Sequence, residues 1–239
     1  MQDLRVVWWK EIKALLSPRA LVVELILLTV LAGAVLPVLL ISKIPSRPIA
    51  LLVIAAVYPF ISLFVLLFST FSWISKVFIA EKVQRTLEML LTTPLDLRTI
   101  WIGKTLAIFS GAYARMLVAL TLFTVGTHIV SLIQGHTLGL LFPPLLVVLR
   151  SLVIFPLFVL GFIGFSGLAI FMAADVGSAN MLITIVLILA FTFLLPKTLQ
   201  AQASGLWVAG ESVIAVVWVG GCIAGTKLLK NERVVLGKS

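Results

Sequence analysis

Apolar residues along this chain neither alternate nor keep to one narrow helical stripe; they run on in six blocks, at about 20–42, 50–74, 105–133, 150–173, 178–196 and 206–227. A helix that crosses a bilayer needs roughly 20 consecutive apolar residues, and each block is of that order. Two shorter stretches are patterned differently. In residues 1–19, Leu4, Val6, Val7, Trp8 and Trp9 mix with Lys10, Glu11 and Lys13, which predicts an amphipathic interfacial helix with Trp8 and Trp9 anchored at headgroup level. Between the second and third blocks, residues 76–94 put Ile79, Val83, Leu87 and Leu90 on one helical face and Glu81, Arg85 and Glu88 on another. The expected fold is therefore an all-α membrane protein: six transmembrane helices in a single domain over 1–239, with two amphipathic helices outside the spans.

An apolar piece at about 137–149 contains Pro143-Pro144. Added to the fourth block it makes that span too long, and a proline pair disfavours one continuous helix, so it reads as an interfacial or re-entrant helix. Lys10, Lys13 and Arg19 before the apolar run ending Ala32-Gly33-Ala34 resemble a signal peptide, but the run from about Ala20 to Ile41 is long enough to span and reads as a retained helix.

Composition agrees with a membrane domain. Of the 239 residues 62% are hydrophobic and 11% charged, against about 25% charged in a soluble domain. The net charge of +9 does not point to nucleic acid, because the cations lie in short segments between apolar blocks. They set topology instead. Arg5, Lys10, Lys13 and Arg19 precede the first block; Lys76, Lys82, Arg85, Arg98 and Lys104 lie between the second and third; Lys227, Lys230, Arg233 and Lys238 follow the sixth. The other side holds Lys43, Arg47 and Lys197, with Arg150 at an outer boundary. Positive segments stay inside, so both termini are expected in the cytoplasm. The single cysteine, Cys222, excludes an intrachain disulfide framework or a cysteine metal cluster.

The segment that carries a recognisable signature is Glu81-Lys82-Val83-Gln84-Arg85-Thr86-Leu87-Glu88-Met89-Leu90-Leu91-Thr92-Thr93-Pro94, followed by Gly103-Lys104. Glu81 and Arg85 form an i,i+4 pair and Arg85 and Glu88 an i,i+3 pair, each worth about 0.2–0.5 kcal/mol on an exposed helix. Pro94 biases Thr93 out of the helical region and ends the helix. The pattern alone also fits a helix lying on the membrane surface. The motif, with Trp9-Lys10-Glu11-Ile12 and Ser17-Pro18-Arg19 before it and Ala174-Asp175-Val176-Gly177-Ser178-Ala179-Asn180 after it, closely resembles the membrane subunits of ABC exporters called the ABC type 2 permease family.

That resemblance implies a multi-pass subunit of a prokaryotic plasma membrane, working as a homodimer or as a heterodimer with a second permease. Two copies of an ABC ATPase, which bind the ATP and Mg, are expected on the cytoplasmic side, and no cofactor on this chain. It makes Glu81, Arg85, Glu88, Thr92, Thr93 and Pro94 the elements that couple to the ATPase. No G-x-x-x-x-G-K-[ST] phosphate loop occurs here, and no nucleophile, base and orienter set is visible, so the chain is expected to be a transport subunit and not an enzyme. His128 and His136 have no carboxylate or thiol cluster beside them in the sequence, so no metal site is expected.

Glu24, Arg115, Arg150 and Glu211 are candidate intramembrane functional residues, since charge in hydrocarbon is costly; for the arginines, snorkelling to an interface is the alternative. Other classes remain open: a haem-handling permease of cytochrome c maturation, an ion-coupled secondary transporter and an integral membrane lipid enzyme. An internal repeat and paired carboxylates, which would favour the secondary transporter, are not visible.

The charge asymmetry makes a direct prediction. A cysteine introduced beside Arg85 resists a membrane-impermeant thiol reagent added outside sealed cells, whereas one beside Lys43 or Arg47 reacts; labelling at Arg85 from outside would reverse the topology.

Overall fold

Proline and charge delimit the helices of this chain, and the computed structural model shows how. It describes residues 2–15, 23, 27, 30–41, 47–79, 97–133, 142–172, 177, 181, 184, 185, 188 and 205–225, all helical except 142–144. The elements are α1 (Gln2–Leu15), a π-helical turn Leu31–Val35 running into α2 (Leu36–Ile41), α3 (Arg47–Ile74) with a π-turn Ser75–Ile79 at its end, and α4 (Leu97–Ile133). Then come α5 (Leu145–Leu149), a π-turn Arg150–Ile154, α6 (Phe155–Met172) and α7 (Gly205–Gly225). Among the described residues, four stretches are long and apolar enough to cross a membrane: Pro48–Ile79, Arg98–Ile133, Leu145–Ile170 and Val208–Gly225. They correspond to the expected second, third, fourth and sixth blocks. Of the expected first span, at 20–42, residues 23, 27 and 30–41 are described and helical; the expected fifth span, at 178–196, falls largely outside the described residues, as does the expected amphipathic helix from residue 80 onward.

The interior is apolar on side chains from α3, α4 and α6, including Leu63, Leu66, Leu67, Ile108, Met116, Ala119, Val159, Phe162 and Ile163, each at most 1% exposed. α3 is also apolar on its outer face, where Phe60, Phe64 and Phe68 stack at four-residue spacing with centroids 6.0 Å apart. Phe68 is 70% exposed. A helix apolar all round is one that hydrocarbon surrounds, since water would penalise such a ladder. α4 has 37 residues, about 55 Å at 1.5 Å per residue, which exceeds the roughly 30 Å hydrocarbon core. Its first turns lie beside the end of α6, where Trp101 comes against Gly164 and Gly167, and carry α1, while its far end leaves Leu132 and Ile133 exposed.

α6 and α7 run parallel, as their pairings show: Arg150 meets Glu211, Gly161 meets Trp218, and Leu168 meets Gly225 in the same order along both helices. Val208, Glu211, Ala215, Trp218 and Cys222 follow each other at three- and four-residue steps and make the buried or half-buried seam of α7. This spacing is the knobs-into-holes seam of near-parallel helices. Gly161 permits the approach: a Cβ there would lie 2.0 Å from Trp218 Cδ1.

The structure corrects the reading of residues 137–149. Residues 145–149 are the opening turns of the fourth spanning rod and not a separate interfacial helix. Pro144 caps the rod, its carbonyl accepting from the N–H groups of Val147 and Val148 at 2.9 and 3.1 Å. A helix start has no use for the missing proline N–H, so the pair Pro143-Pro144 starts this helix where it was expected to interrupt one.

Gly161→Val should therefore lower stability by about 1–3 kcal/mol through overpacking against Trp218, while Gly220→Ala, where an added Cβ meets nothing within 4 Å, should leave it unchanged. Thermal unfolding in detergent measures both; equal losses would disprove the seam.

Candidate functional site

Proline within a spanning helix deletes one N–H and leaves carbonyls without their intrahelical partner, and no water is at hand in hydrocarbon to replace it. Pro156 stands two residues beyond the π-turn Arg150–Ile154. There the Phe155 N–H reaches back five residues to the Arg150 carbonyl, so the register shift makes Ser151 O the π-type and Leu152 O the α-type partner that Pro156 cannot supply. Both are capped from neighbouring helices. Ser62 Oγ of α3 donates to Ser151 O at 2.9 Å, and Tyr113 Oη of α4 donates to Leu152 O at 3.2 Å. Met116 Sδ lies 3.1 Å from Ser62 Oγ.

On the same turn Arg150, 3% exposed, places Nη2 2.5 Å from Glu211 Oε1 of α7. Read from the sequence as a boundary cation and as a candidate intramembrane residue, Arg150 is a buried ion-pair member five residues beyond Leu145. One helical turn thus ties α5–α6 to α3, α4 and α7 at once. π-turns of this kind gather at functional sites, and two opposite charges in apolar surroundings hold only while both stay in place. Leu31–Val35 repeats the device before Pro37, with the Leu36 N–H bonded to the Leu31 carbonyl.

Arg115 sits apart from that pair. Half-buried in α4, it lays its guanidinium 4.0 Å from the Trp73 ring centroid of α3, a cation–π contact worth about 2 kcal/mol when desolvated. Gly111, one turn earlier, makes room for Trp73: a Cβ there would come within 1.8 Å of its ring.

The base of α4 holds a second buried charge pair. Lys104, 1% exposed, places Nζ 2.7 Å from Glu11 Oε1 of α1. Above and below it Val7 packs on Gly103, and Trp8 Nε1 donates to Ser110 Oγ at 3.3 Å. Lys104, expected as a loop charge, is thus a buried brace. Of the two tryptophans, Trp8 turns in toward α4 and Trp9 stays 60% exposed.

The structure therefore brings Arg150 and Glu211 together and keeps Arg115 separate. Glu24, Glu81, Arg85, Glu88, Thr92, Thr93 and Pro94 lie outside the described residues. His128 meets Phe142 edge-on at 5.7 Å. Sequence reasoning missed Ser62, Tyr113 and the Glu11–Lys104 pair. The signal for the first two was Pro156 itself, which demands donors for two carbonyls; for the third no local signal exists, because the partners are 93 positions apart. The chain matches no family model, no curated protein and no solved structure.

Removing one member of the Arg150–Glu211 pair strands the other charge. Glu211→Leu alone should cost about 3–5 kcal/mol, whereas Arg150→Met with Glu211→Leu should recover most of the loss. Unfolding measured on the purified chain decides; a double variant less stable than the single one would show that the charges do not act as a pair.

Proposed function

We propose that this chain is the membrane-spanning permease subunit of an ATP-driven exporter, similar to the ABC type 2 permeases, with six spans and its ATPase on a separate polypeptide. The observation that carries the reading is the buried Glu11–Lys104 brace at 2.7 Å, which fixes α1 to α4 about two turns into the helix that follows the motif-bearing segment 81–94. A segment that transmits force from a soluble motor needs a rigid base to push on. That base here is α4, whose seating of Val7, Trp8 and Glu11 makes α1 and the start of α4 one unit.

Chain direction supports the six-span plan. α1 lies at the end of the bundle where α4 starts and α3 finishes, yet α3 begins at the opposite end; likewise α6 finishes at the end opposite to the start of α7. An odd number of crossings between 15 and 47, and again between 172 and 205, meets both conditions, which is the parity that spans at 20–42 and 178–196 provide. Both termini are then cytoplasmic, in the plasma membrane of a prokaryote, and the pathway forms between this chain and a second permease copy or homologue.

A second reading, ion-coupled transport, draws on the Arg150–Glu211 pair, because intramembrane charges mark ion pathways in such proteins. The two differ in their energy source: transport by sealed vesicles that persists on an ion gradient with ATP depleted would favour the second.

The purified chain should hydrolyse no ATP, and hydrolysis should appear only in the complex with its ATPase. Replacing Glu81, Arg85 and Glu88 together by alanine should leave expression unchanged, since exposed pairs contribute less than about 1 kcal/mol. Loss of a desolvated interfacial charge, however, costs about 2–5 kcal/mol of binding, so ATPase co-purification and transport should fall at least tenfold. Normal assembly and transport by the triple variant would overturn the coupling role; robust hydrolysis by the pure chain would overturn the division of labour.

A further inference from the structure

α1 divides into two clean halves around its axis. Val7, Trp8, Glu11 and Leu15 face α4, whereas Arg5, Val6, Trp9, Lys10 and Lys13 are exposed. At 100° per residue these five and the exposed Ala14 fall within one half-turn, with Trp9, Lys13 and Val6 in the middle, Arg5 on one flank and Lys10 and Ala14 on the other. Glu11, which would have offset these cations, is spent on Lys104. At the same end of the bundle Lys76 and Arg98 are exposed as well. Among the side chains described at this end no carboxylate is exposed.

We propose that this face of α1 is a docking surface for anionic phospholipid headgroups. Charge complementarity selects phosphate-rich anions, and depth selects lipid over a soluble acidic partner. Val7 and Trp8 seat α1 against Gly103 and Ser110, beside the first thirteen residues of the 36-residue apolar stretch Arg98–Ile133, the end where headgroups lie beside a span. Trp9 and Val6, 60% and 67% exposed, supply the apolar wedge that a headgroup layer accepts and a soluble acidic surface does not. The buried brace holds the cations in place before lipid arrives, so binding carries no cost of folding the helix. The inference rests on the membrane reading of the four long helices and not on the transport reading.

The test uses the purified full chain reconstituted in phosphatidylcholine vesicles doped with spin-labelled phosphatidylglycerol or spin-labelled phosphatidylcholine. The chain should retain the anionic label in preference to the zwitterionic one at low salt. Each cation near the surface is worth about fivefold in association, so Arg5→Gln, Lys10→Gln and Lys13→Gln together should reduce the preference at least fivefold without loss of helix by circular dichroism. Raising ionic strength to about 1 M, where the screening length is about 3 Å, should do the same to the unsubstituted chain. This salt arm keeps the test decisive if the triple variant fails to fold. A preference unchanged by both salt and substitution would overturn the proposal. So would an unchanged lipid preference combined with loss of the ATPase from the triple variant, which would make the face a protein contact.

Discussion

A polar group inside hydrocarbon must find its partner within the protein, and the Pro156 turn is where this constraint bears hardest on the described bundle. Two backbone carbonyls and one guanidinium would be stranded there. Their partners come from three different helices: Ser62 from α3, Tyr113 from α4 and Glu211 from α7. Each hydroxyl–carbonyl bond adds only about 1 kcal/mol net, but an unmet buried group costs about 1–3 kcal/mol, so the three helices are held in mutual register by what their separation would expose. The apolar contacts around them, at Leu66, Met116 and Phe162, supply area without direction. It is the proline turn that specifies which residue faces which.

The same reasoning explains the glycines at the closest helix contacts. Without a hydrophobic driving force between spans, packing distance decides association, and small residues let backbones approach. Gly111 accepts Trp73 and Gly161 accepts Trp218, each a large ring placed where any side chain would collide. Trp73 then becomes the platform for Arg115, so a glycine on α4 indirectly determines where a charge four residues away can rest.

What the sequence made legible follows from which forces are local. Apolar run length located α3, α4, the α5–α6 rod and α7, because crossing a bilayer is a requirement on consecutive residues. It missed the first eight residues of α4, Leu97 to Lys104, since Arg98 and Lys104 break the apolar run there, although Trp101 packs on Gly164 and Gly167 and Lys104 pairs with Glu11. It misread Pro143-Pro144 as a break, because a proline's meaning depends on whether it opens a helix or interrupts one. Lys104 and Arg150 were assigned to boundaries for the same reason: a lone cation at the edge of an apolar run looks solvated until its carboxylate, 93 or 61 positions away, is placed beside it. The amphipathic pattern of α1 was readable, but not which tryptophan it buries; that choice belongs to Ser110 and Gly103.

The two charge pairs also differ in what they can do. Glu11–Lys104 joins α1 to the first turns of the spanning stretch and is flanked by close packing at Gly103 and Ser110, so it behaves as a fixed brace. Arg150–Glu211 lies on a π-turn, whose hydrogen bonds are already shifted by one residue; returning that turn to α-register would rotate Arg150 by about 100° and carry it off Glu211. The pair is therefore a latch on the turn. Both helices that flank segment 80–96 hold the same turn, α3 through Ser62 and α4 through Tyr113. On the export reading, a displacement entering at that segment moves α3 and α4 relative to each other, and the shared carbonyls Ser151 and Leu152 are the first interior groups to lose a donor. On that reading the centre of the bundle resists a shift entering at its base, because moving α3 or α4 off the turn leaves buried polar groups unmet.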